Sequence, residues 1–346
     1  MPPTHRQLEP PAQTIEVPPD FPATLLALIH TEEEFDWSQG FNRSATSTRT
    51  LEALGPAHRL FVDEGVKPTY VVDWPVIQDD AATPRFAEWA RAGTAEIGAH
   101  LHPWVNPPHE EEVGEFTSFG GNLDPALERA KLTALTEQIT SKLGRAPRTF
   151  LAGRYGLGPS TPTILEDLGY TVDASVTPPF DFRRSGGPNF SRFPAAPFVW
   201  PQTRSLIEIP ITGGYFGRAR AVAPGIYPQL KTRLGLALRL EGILSHSGLM
   251  TRARLSPEGY GFDDLVALTR QMWSEGTRIF TFSLHSTAFT PGWTDYVPDA
   301  ASLERFNDLC ARYLAWFRAE YGGRPVSHAD VGEELRSLPT TRSAPQ

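Results

Sequence analysis

Short apolar, β-branched runs alternate along the chain with longer segments whose apolar residues recur every three or four positions. The short runs predict buried strands, and the three-to-four spacing predicts amphipathic helices. The predicted strands are, in order, ATLLALIHT, KPTYVVDWP, TAEIGAHLHP, RTFLAGRYG, YTVDASV, SLIEIPIT and RIFTFSLHS. The predicted helices lie around residues 49–64, 82–92, 124–143, 160–168, 227–243, 262–275 and 301–320.

Strands buried on both faces and separated by helices are typical of a parallel α/β fold. Seven strands favour an incomplete (β/α) barrel in a single domain, with an open doubly wound sheet as the alternative. No strand is followed by a Gly-rich phosphate loop, since AGRYGLG lacks the required spacing. Residues 1–21 are proline-rich and residues 337–346 lack periodicity, so we expect the barrel over residues 22–336 between two flexible tails.

Composition narrows the classes of function. The 346 residues include 32 basic and 40 acidic side chains, a formal charge of −8, with no Lys/Arg block, which disfavours nucleic acid and anionic membranes as partners. The single cysteine, Cys310, excludes an internal disulfide and a thiolate metal cluster. No segment has the length of a membrane span, and the N-terminus lacks the apolar core of a signal peptide, so we expect a cytoplasmic protein.

Polar side chains occur at the carboxyl ends of the predicted strands. They are His30, Glu32, Asp73, His100, His102, Arg154, Asp173 and His285. That end of a parallel barrel forms the active-site face, so we expect these residues to meet in space. Structural alternatives stay open for several of them: a turn or helix cap for Asp73, neighbouring backbone amides for Asp173, an ion pair for Arg154 and packing for His285.

The pair His100 and His102 carries the most specific chemistry. Residues two apart in an extended strand project to the same side, so the two imidazoles could hold one ion. HTEEEFDW supplies a carboxylate, with Glu32 and Glu34 on one face if the strand continues and Glu33 facing away. Two histidines and one carboxylate leave coordination positions open and suit zinc or another borderline divalent ion, which acidifies water and polarises a carbonyl.

Several ordered motifs together resemble a known family. They are TEEEFDW, EIGAHLHPWVNPP, FLAGRYGLGPS, GYTVDASV and FSLHSTAFTPG. Over residues 22–330 the chain resembles the polysaccharide deacetylases of carbohydrate esterase family four, in particular a WalW-like subgroup. The resemblance implies a distorted seven-stranded β/α barrel and metal-dependent removal of an N-acetyl group from an amino sugar or polysaccharide precursor.

The resemblance also implies roles for individual residues. The metal ligands fall on Glu32, His100 and His102. His285 becomes the general acid for the leaving amine, and Arg154 orients the catalytic carboxylate or the substrate.

This sequence departs from the family at the catalytic base. The family has an aspartate at the strand end, whereas this chain has His30, which near neutrality could still act as a neutral base or as a ligand. A second register makes Glu32 the base and Glu33 the ligand. Both registers remain open at this point.

Two aromatic residues beside the motifs, Trp104 and Tyr155, could stack on a sugar ring, although packing explains each equally well. Two other functions are also compatible with the residues. One is a metal-dependent amidohydrolase acting on another amide. The other is a carbohydrate-binding pseudo-enzyme, which the substitution at His30 favours.

Overall fold

The protein folds around one curled sheet with helices packed against its outer side. The structure, a computed structural model, describes residues 7–36, 39–230 and 240–342. The strands are β1 (Gln13–Ile15), β2 (Thr24–Thr31), β3 (Thr69–Val72), β4 (Glu96–Leu101), β5 (Thr149–Ala152), β6 (Val172–Asp173), β7 (Phe198–Val199), β8 (Ile207–Glu208), β9 (Gly213–Phe216), β10 (Thr251–Arg254), β11 (Ile279–His285) and β12 (Thr340–Arg342).

The helices follow the predicted segments closely. They are α1 (Leu54–Asp63), α2 (Trp74–Gln78), α3 (Thr83–Ala92), α4 (Pro125–Leu143), α5 (Thr161–Asp167), α6 (Ala223–Leu230), α7 (Leu240–His246), α8 (Phe262–Ser274), α9 (Ala300–Tyr321) and α10 (His328–Leu335). The predicted helix 227–243 lies partly outside the described residues, and α2 and α10 were not predicted. In the described part of the chain, no helix combines the length and apolar character needed to cross a bilayer.

The main sheet has eight strands in the described residues, in the order β11-β2-β3-β4-β5-β6-β8-β7. The seven predicted strands are the parallel ones and lie side by side. The eighth, β7, is antiparallel to β8 and lies outside the predicted strands. Since β11 and β7 end the order without pairing in the ranges described, the sheet is a curled half-barrel, and the expected seven-stranded count is corrected.

Both expected tails contribute a strand. Residues 13–15 pair antiparallel with residues 340–342, and the side chain of Ile15 is buried. Val331 and Leu335 of α10 pack in the same cluster as Ile15. These residues of the two expected tails thus pair with each other, and Ile15 packs against the main sheet through Leu26, Val172 and Ile207.

Strand alternation sorts the core into two layers. One layer faces the helices, and the other fills the inside of the half-barrel with Leu28, Val71, Leu151, Ala174 and Ile211. Beyond this apolar layer, towards the carboxyl ends of the strands, the inward-facing side chains are polar.

Candidate metal centre at the carboxyl ends of the strands

Histidines from three strands converge above the apolar inner layer. His30 at the end of β2 is the register partner of His285 at the end of β11, and their ring centroids are 4.4 Å apart. The ring of His100 in β4 is 5.4 Å from that of His30 and 4.6 Å from that of His102. The expectation that these strand-end residues meet in space is therefore realised for the histidines.

Glu32 reaches both imidazoles of the H-x-H pair. Its Oε2 lies 3.3 Å from Nε2 of His100 and 3.4 Å from Nε2 of His102. The three side chains are nearly enclosed, with 9%, 1% and 4% exposure in the same order. Within the described residues these three offer ligand atoms that lie close enough together to hold a metal ion.

The other nitrogen of each imidazole already has a partner that fixes the tautomer. Nδ1 of His100 donates to the carbonyl oxygen of Leu151 at 2.9 Å, since a carbonyl oxygen can only accept. Nδ1 of His102 donates to Oε2 of Glu33 at 2.7 Å. Both Nε2 atoms consequently direct lone pairs at the carboxylate of Glu32, an arrangement that is repulsive unless a cation lies between them.

The donor set fits a divalent metal ion. Nε2 of His100 is buried without a hydrogen-bond partner, which costs roughly 1–3 kcal/mol if nothing satisfies it. Ligand atoms at zinc bond lengths near 2.0–2.1 Å in a tetrahedron lie about 3.3–3.4 Å apart, which matches the two distances to Glu32. Two imidazoles and one carboxylate are the ligands of an open catalytic zinc site.

The electrostatics favour the protonation states that bind a metal. Burial opposes ionisation of Glu32, but the neighbouring histidines, His285 foremost, lower its pKa to about 2. Burial lowers the pKa of His100 and of His102. The site therefore presents an anionic oxygen and two neutral imidazoles at neutral pH.

Glu33 and Asp73 support the centre from behind His102. The backbone nitrogen of Glu33 donates to Oδ2 of Asp73 at 2.9 Å, and that of Val76 donates to Oδ1 at 2.9 Å. Asp73 is thus the N-cap of α2, which is one of the structural alternatives left open for it. Burial raises the pKa of Glu33 to about 7, and burial together with Glu33 raises that of Asp73 well above its ordinary value.

Glu33, Asp73 and His102 also lie close enough together to hold an ion. The Nδ1–H of His102 and the Nε1–H of Trp104 both donate to Glu33, the latter at 2.9 Å. Donors thus already satisfy this carboxylate. A carboxylate bonded to the outer nitrogen of a ligating histidine is the usual support of such a ligand.

Trp104 is not placed to stack on a ligand. Its side chain is 1% exposed, and its ring stacks on His102 with centroids 4.2 Å apart. The rings of Phe35 and Phe41 lie 5.4 and 4.9 Å from it. Of the two interpretations left open for Trp104, packing therefore matches its surroundings, because its neighbours cover the ring.

His285 is held by an acid that the sequence analysis missed. Oε2 of Glu258 accepts from Nδ1 of His285 at 2.8 Å, and Oε1 accepts from its backbone nitrogen at 2.7 Å. Nε2 lies 3.9 Å from Oε1 of Glu32. Burial would lower the pKa of His285, but Glu258 and Glu32 outweigh it and raise the pKa to about 9. Glu258 lies in an irregular segment, SPEGYG, that carries no periodic signal.

His30 lies at the centre of the histidine group. Its Nε2 is 2.9 Å from the hydroxyl oxygen of Ser283, and the side chain is 3% exposed. Burial, followed by the charges of His285 and His100, holds its pKa well below the ordinary value. The imidazole is therefore neutral at neutral pH.

Arg154 and Tyr155 follow β5 in a strained turn. Both have positive φ, 53° and 59°, a conformation that costs a non-glycine residue on the order of 1 kcal/mol or more. The Arg154 guanidinium lies over the ring of Phe119, 4.1 Å from its centroid, and Nη2 is 3.8 Å from Oε1 of Glu115. The Tyr155 ring meets that of His30 edge-on at 5.8 Å.

Gly153 permits this turn to approach the centre. A Cβ at this position would lie 2.3 Å from the carbonyl oxygen of Leu101 and 2.5 Å from Cδ2 of His102. Any larger residue would displace the imidazole, so the absence of a side chain at Gly153 helps to set the position of His102.

The fold is shared with solved structures of enzymes that act on carbohydrates. A candidate polysaccharide deacetylase from Mycobacterium smegmatis is 16% identical, with 98% of this chain and 100% of that chain covered and a TM-score of 0.51. A candidate glycoside hydrolase/deacetylase from Parabacteroides distasonis is 12% identical, with coverages of 94% and 73% and a TM-score of 0.52. No protein-family model and no curated protein matches the sequence.

An enzyme named for a different reaction is similar in fold to the same degree. The 4-alpha-glucanotransferase from Thermococcus litoralis is 9% identical, with 92% of this chain and 41% of that chain covered and a TM-score of 0.51. Because one architecture serves several reactions, function has to be argued from the site itself. The likenesses thus establish that the chain has the fold of these carbohydrate-active proteins.

Proposed function

We propose that the protein is a metal-dependent hydrolase that removes acetyl groups from N-acetylated amino sugars, with zinc held by Glu32, His100 and His102. One observation carries this proposal: the Nε2 lone pairs of His100 and His102 both point at Oε2 of the buried Glu32. The motifs shared with carbohydrate esterase family four, WalW-like subgroup, supply the substrate class.

A divalent ion at this site would acidify a water molecule and polarise the amide carbonyl of the substrate. Glu32 rather than Glu33 is the metal carboxylate, since Glu33 is bonded to the outer nitrogen of His102. This choice favours the register in which His30 occupies the position of the base.

His285 is the general acid of the proposal. Its pKa of about 9 keeps the ring protonated at neutral pH, and Glu258 holds Nδ1 so that Nε2 faces the centre. From there Nε2 donates a proton to the leaving amine nitrogen.

His30 is the proposed base. Its neutral ring can accept the proton of the attacking water, and Ser283 fixes its orientation. Tyr155, which borders His30 and is only partly buried, remains the candidate for contact with the sugar ring, and Arg154 the candidate for orienting the substrate.

Acetate release from N-acetylglucosamine oligomers tests the proposal. We expect release by the purified protein, loss after metal removal, recovery on zinc addition and loss in His102→Ala. His109→Ala, which removes an exposed histidine, is the matched control and should retain activity. Release that survives both chelation and His102→Ala would contradict the mechanism.

One observation favours a second function, carbohydrate binding without turnover. The position at which the family carries an acidic base holds His30, whose ring is buried and neutral. This alternative expects oligosaccharide binding with no acetate release, and release restored by His30→Asp. Release by the unmodified protein would exclude it.

A further inference from the structure

A large cleft opens beside the metal centre. It has a volume of about 1350 Å³ and lies against the antiparallel strand pair β9–β10 and the segment that begins at Pro178. The wall of the cleft contacts the centre, because the ring of Phe182, which lines the cleft, stacks on Tyr155 with centroids 5.4 Å apart.

The cleft is positively charged although the protein is acidic. Its lining includes five arginines, which are Arg183, Arg184, Arg192, Arg220 and Arg252. The only acidic residues among the described lining are Asp181 and Glu275. The described lining residues therefore carry a formal net charge of +3 in a chain of net charge −8, which favours anions in the cleft relative to the rest of the surface.

Two arginines of β10 connect the cleft to the centre. Arg252 and Arg254 are two residues apart in a strand and project to the same side. Both lie against the ring of Phe180, with guanidinium carbons 4.3 and 5.1 Å from its centroid. Arg254 also donates from Nη1 to the hydroxyl of Tyr155 at 2.6 Å, next to His30.

The Arg254 guanidinium makes no ion pair in the described part of the chain; burial opposes its charge, but Tyr155, Tyr260 and the more distant Glu258 together raise its pKa. Its Nε is buried without a hydrogen-bond partner, and no carboxylate lies within ion-pair distance of its guanidinium. The side chain is only partly exposed, and a partly desolvated cation gains from a charge-assisted hydrogen bond. An anion at this position would accept a charge-assisted hydrogen bond from the unsatisfied Nε–H of Arg254.

We propose that the substrate carries an anionic group, a phosphate or a carboxylate, which Arg254 and Arg252 bind at the boundary between the cleft and the metal centre. The guanidinium fork matches both groups by paired N–H···O bonds. The link to deacetylation rests on the proposed function, whereas anion binding by these arginines does not.

Binding of small probes tests this inference without requiring turnover. The probes are glucose 6-phosphate, glucuronic acid and glucose, titrated calorimetrically into full-length protein from which metal and chelator have been removed. We expect at least one anionic probe to bind at least tenfold more tightly than glucose, and its affinity to fall as NaCl is raised. Comparison of glucose 6-phosphate with glucuronic acid shows whether the arginines prefer a phosphate or a carboxylate.

Variants identify the residues responsible. Arg254→Met and Arg252→Met should each weaken binding of the anionic probe at least tenfold, and Arg254→Lys should weaken it less than Arg254→Met. The matched control is Arg312→Met, since Arg312 also lies over an aromatic ring, that of Phe262, but outside the cleft. If Arg254→Met does not fold, Arg252→Met and the salt dependence decide.

Two results would overturn the inference: anionic probes that bind no better than glucose, or binding unchanged in Arg254→Met and Arg252→Met. Anion binding that is intact in a protein without acetate release would count against the proposed function alone. The two proposals can thus fail separately.

Discussion

The protein has two pairs of buried carboxyl groups in or next to the main sheet. A comparison of their partners distinguishes acids that support the candidate metal site from acids that support the fold. Glu33 and Asp73 follow the neighbouring strands β2 and β3, whereas Asp173 and Glu208 are register partners in β6 and β8. Burial is the first cause that raises the pKa of all four acids.

Each pair has a glutamate that accepts from a tryptophan indole. Trp104 donates to Glu33 at 2.9 Å, and Trp200 donates to Glu208 at 3.3 Å. Glu33 also accepts from an imidazole whose other nitrogen faces Glu32, whereas Glu208 accepts from the backbone nitrogen of Val176 at 2.8 Å. The same chemistry therefore positions a candidate ligand in one place and fixes a loop in the other.

The largest effect expected is that of Glu32→Gln, which replaces the ligating carboxylate by a neutral amide. Zinc affinity should fall by more than the roughly 100-fold upper figure for a supporting residue. A competition titration against a chromophoric chelator measures it, and Glu208→Gln is the matched buried control. Equal zinc affinities in these two variants would remove the distinction between the pairs.

A smaller effect is expected for Glu33→Ala and Glu208→Ala, and the two variants should differ in which property changes, zinc affinity or stability. Glu33→Ala should weaken zinc binding roughly 10–100-fold, because His102 loses the partner that orients it. Glu208→Ala should leave zinc affinity unchanged but lower the free energy of unfolding by about 1–3 kcal/mol, since Val176 and Trp200 lose their acceptor. Zinc titration and denaturant unfolding of both variants check this, and matching profiles would contradict it.

The smallest effect concerns the pH dependence of stability. Burial and coupling raise the pKa values of Asp173 and Glu208 in the folded protein, so the folded pair keeps a proton that the unfolded chain releases above about pH 4. Stability should fall as pH rises through this window, by at most about 1.4 kcal/mol per pH unit for one proton.

Asp173→Asn should reduce that slope, since it removes one titrating group and the charge that adds to the effect of burial on the pKa of Glu208. Unfolding curves from pH 4 to 7 should show the variant gaining stability relative to the parent protein as pH rises. A constant difference between the two would mean that the pair is fully ionised in the folded state.

The sequence predicted the parallel strands and most of the helices because their signals are local. Apolar runs of four to eight residues and helical spacing need no knowledge of distant contacts. The strand pair β1–β12 joins residues more than 300 positions apart, and β7 is two residues long, so neither carries a local signal.

The site was predictable where side chains follow strand alternation. His100 and His102 occupy the expected common side, and Glu32 reaches both. Glu34 does not join them, because β2 ends at Thr31 and Glu34 accepts from the backbone nitrogen of Thr50 instead. Burial of Trp104 depends on loops that meet only in the folded chain.

An anomalous difference map collected at the zinc absorption edge from zinc-loaded crystals tests the central claim most directly. We predict one strong peak about 2.0–2.2 Å from Oε2 of Glu32 and from Nε2 of both His100 and His102. A peak between Glu33 and Asp73, or no peak at the ends of the strands, would contradict the account.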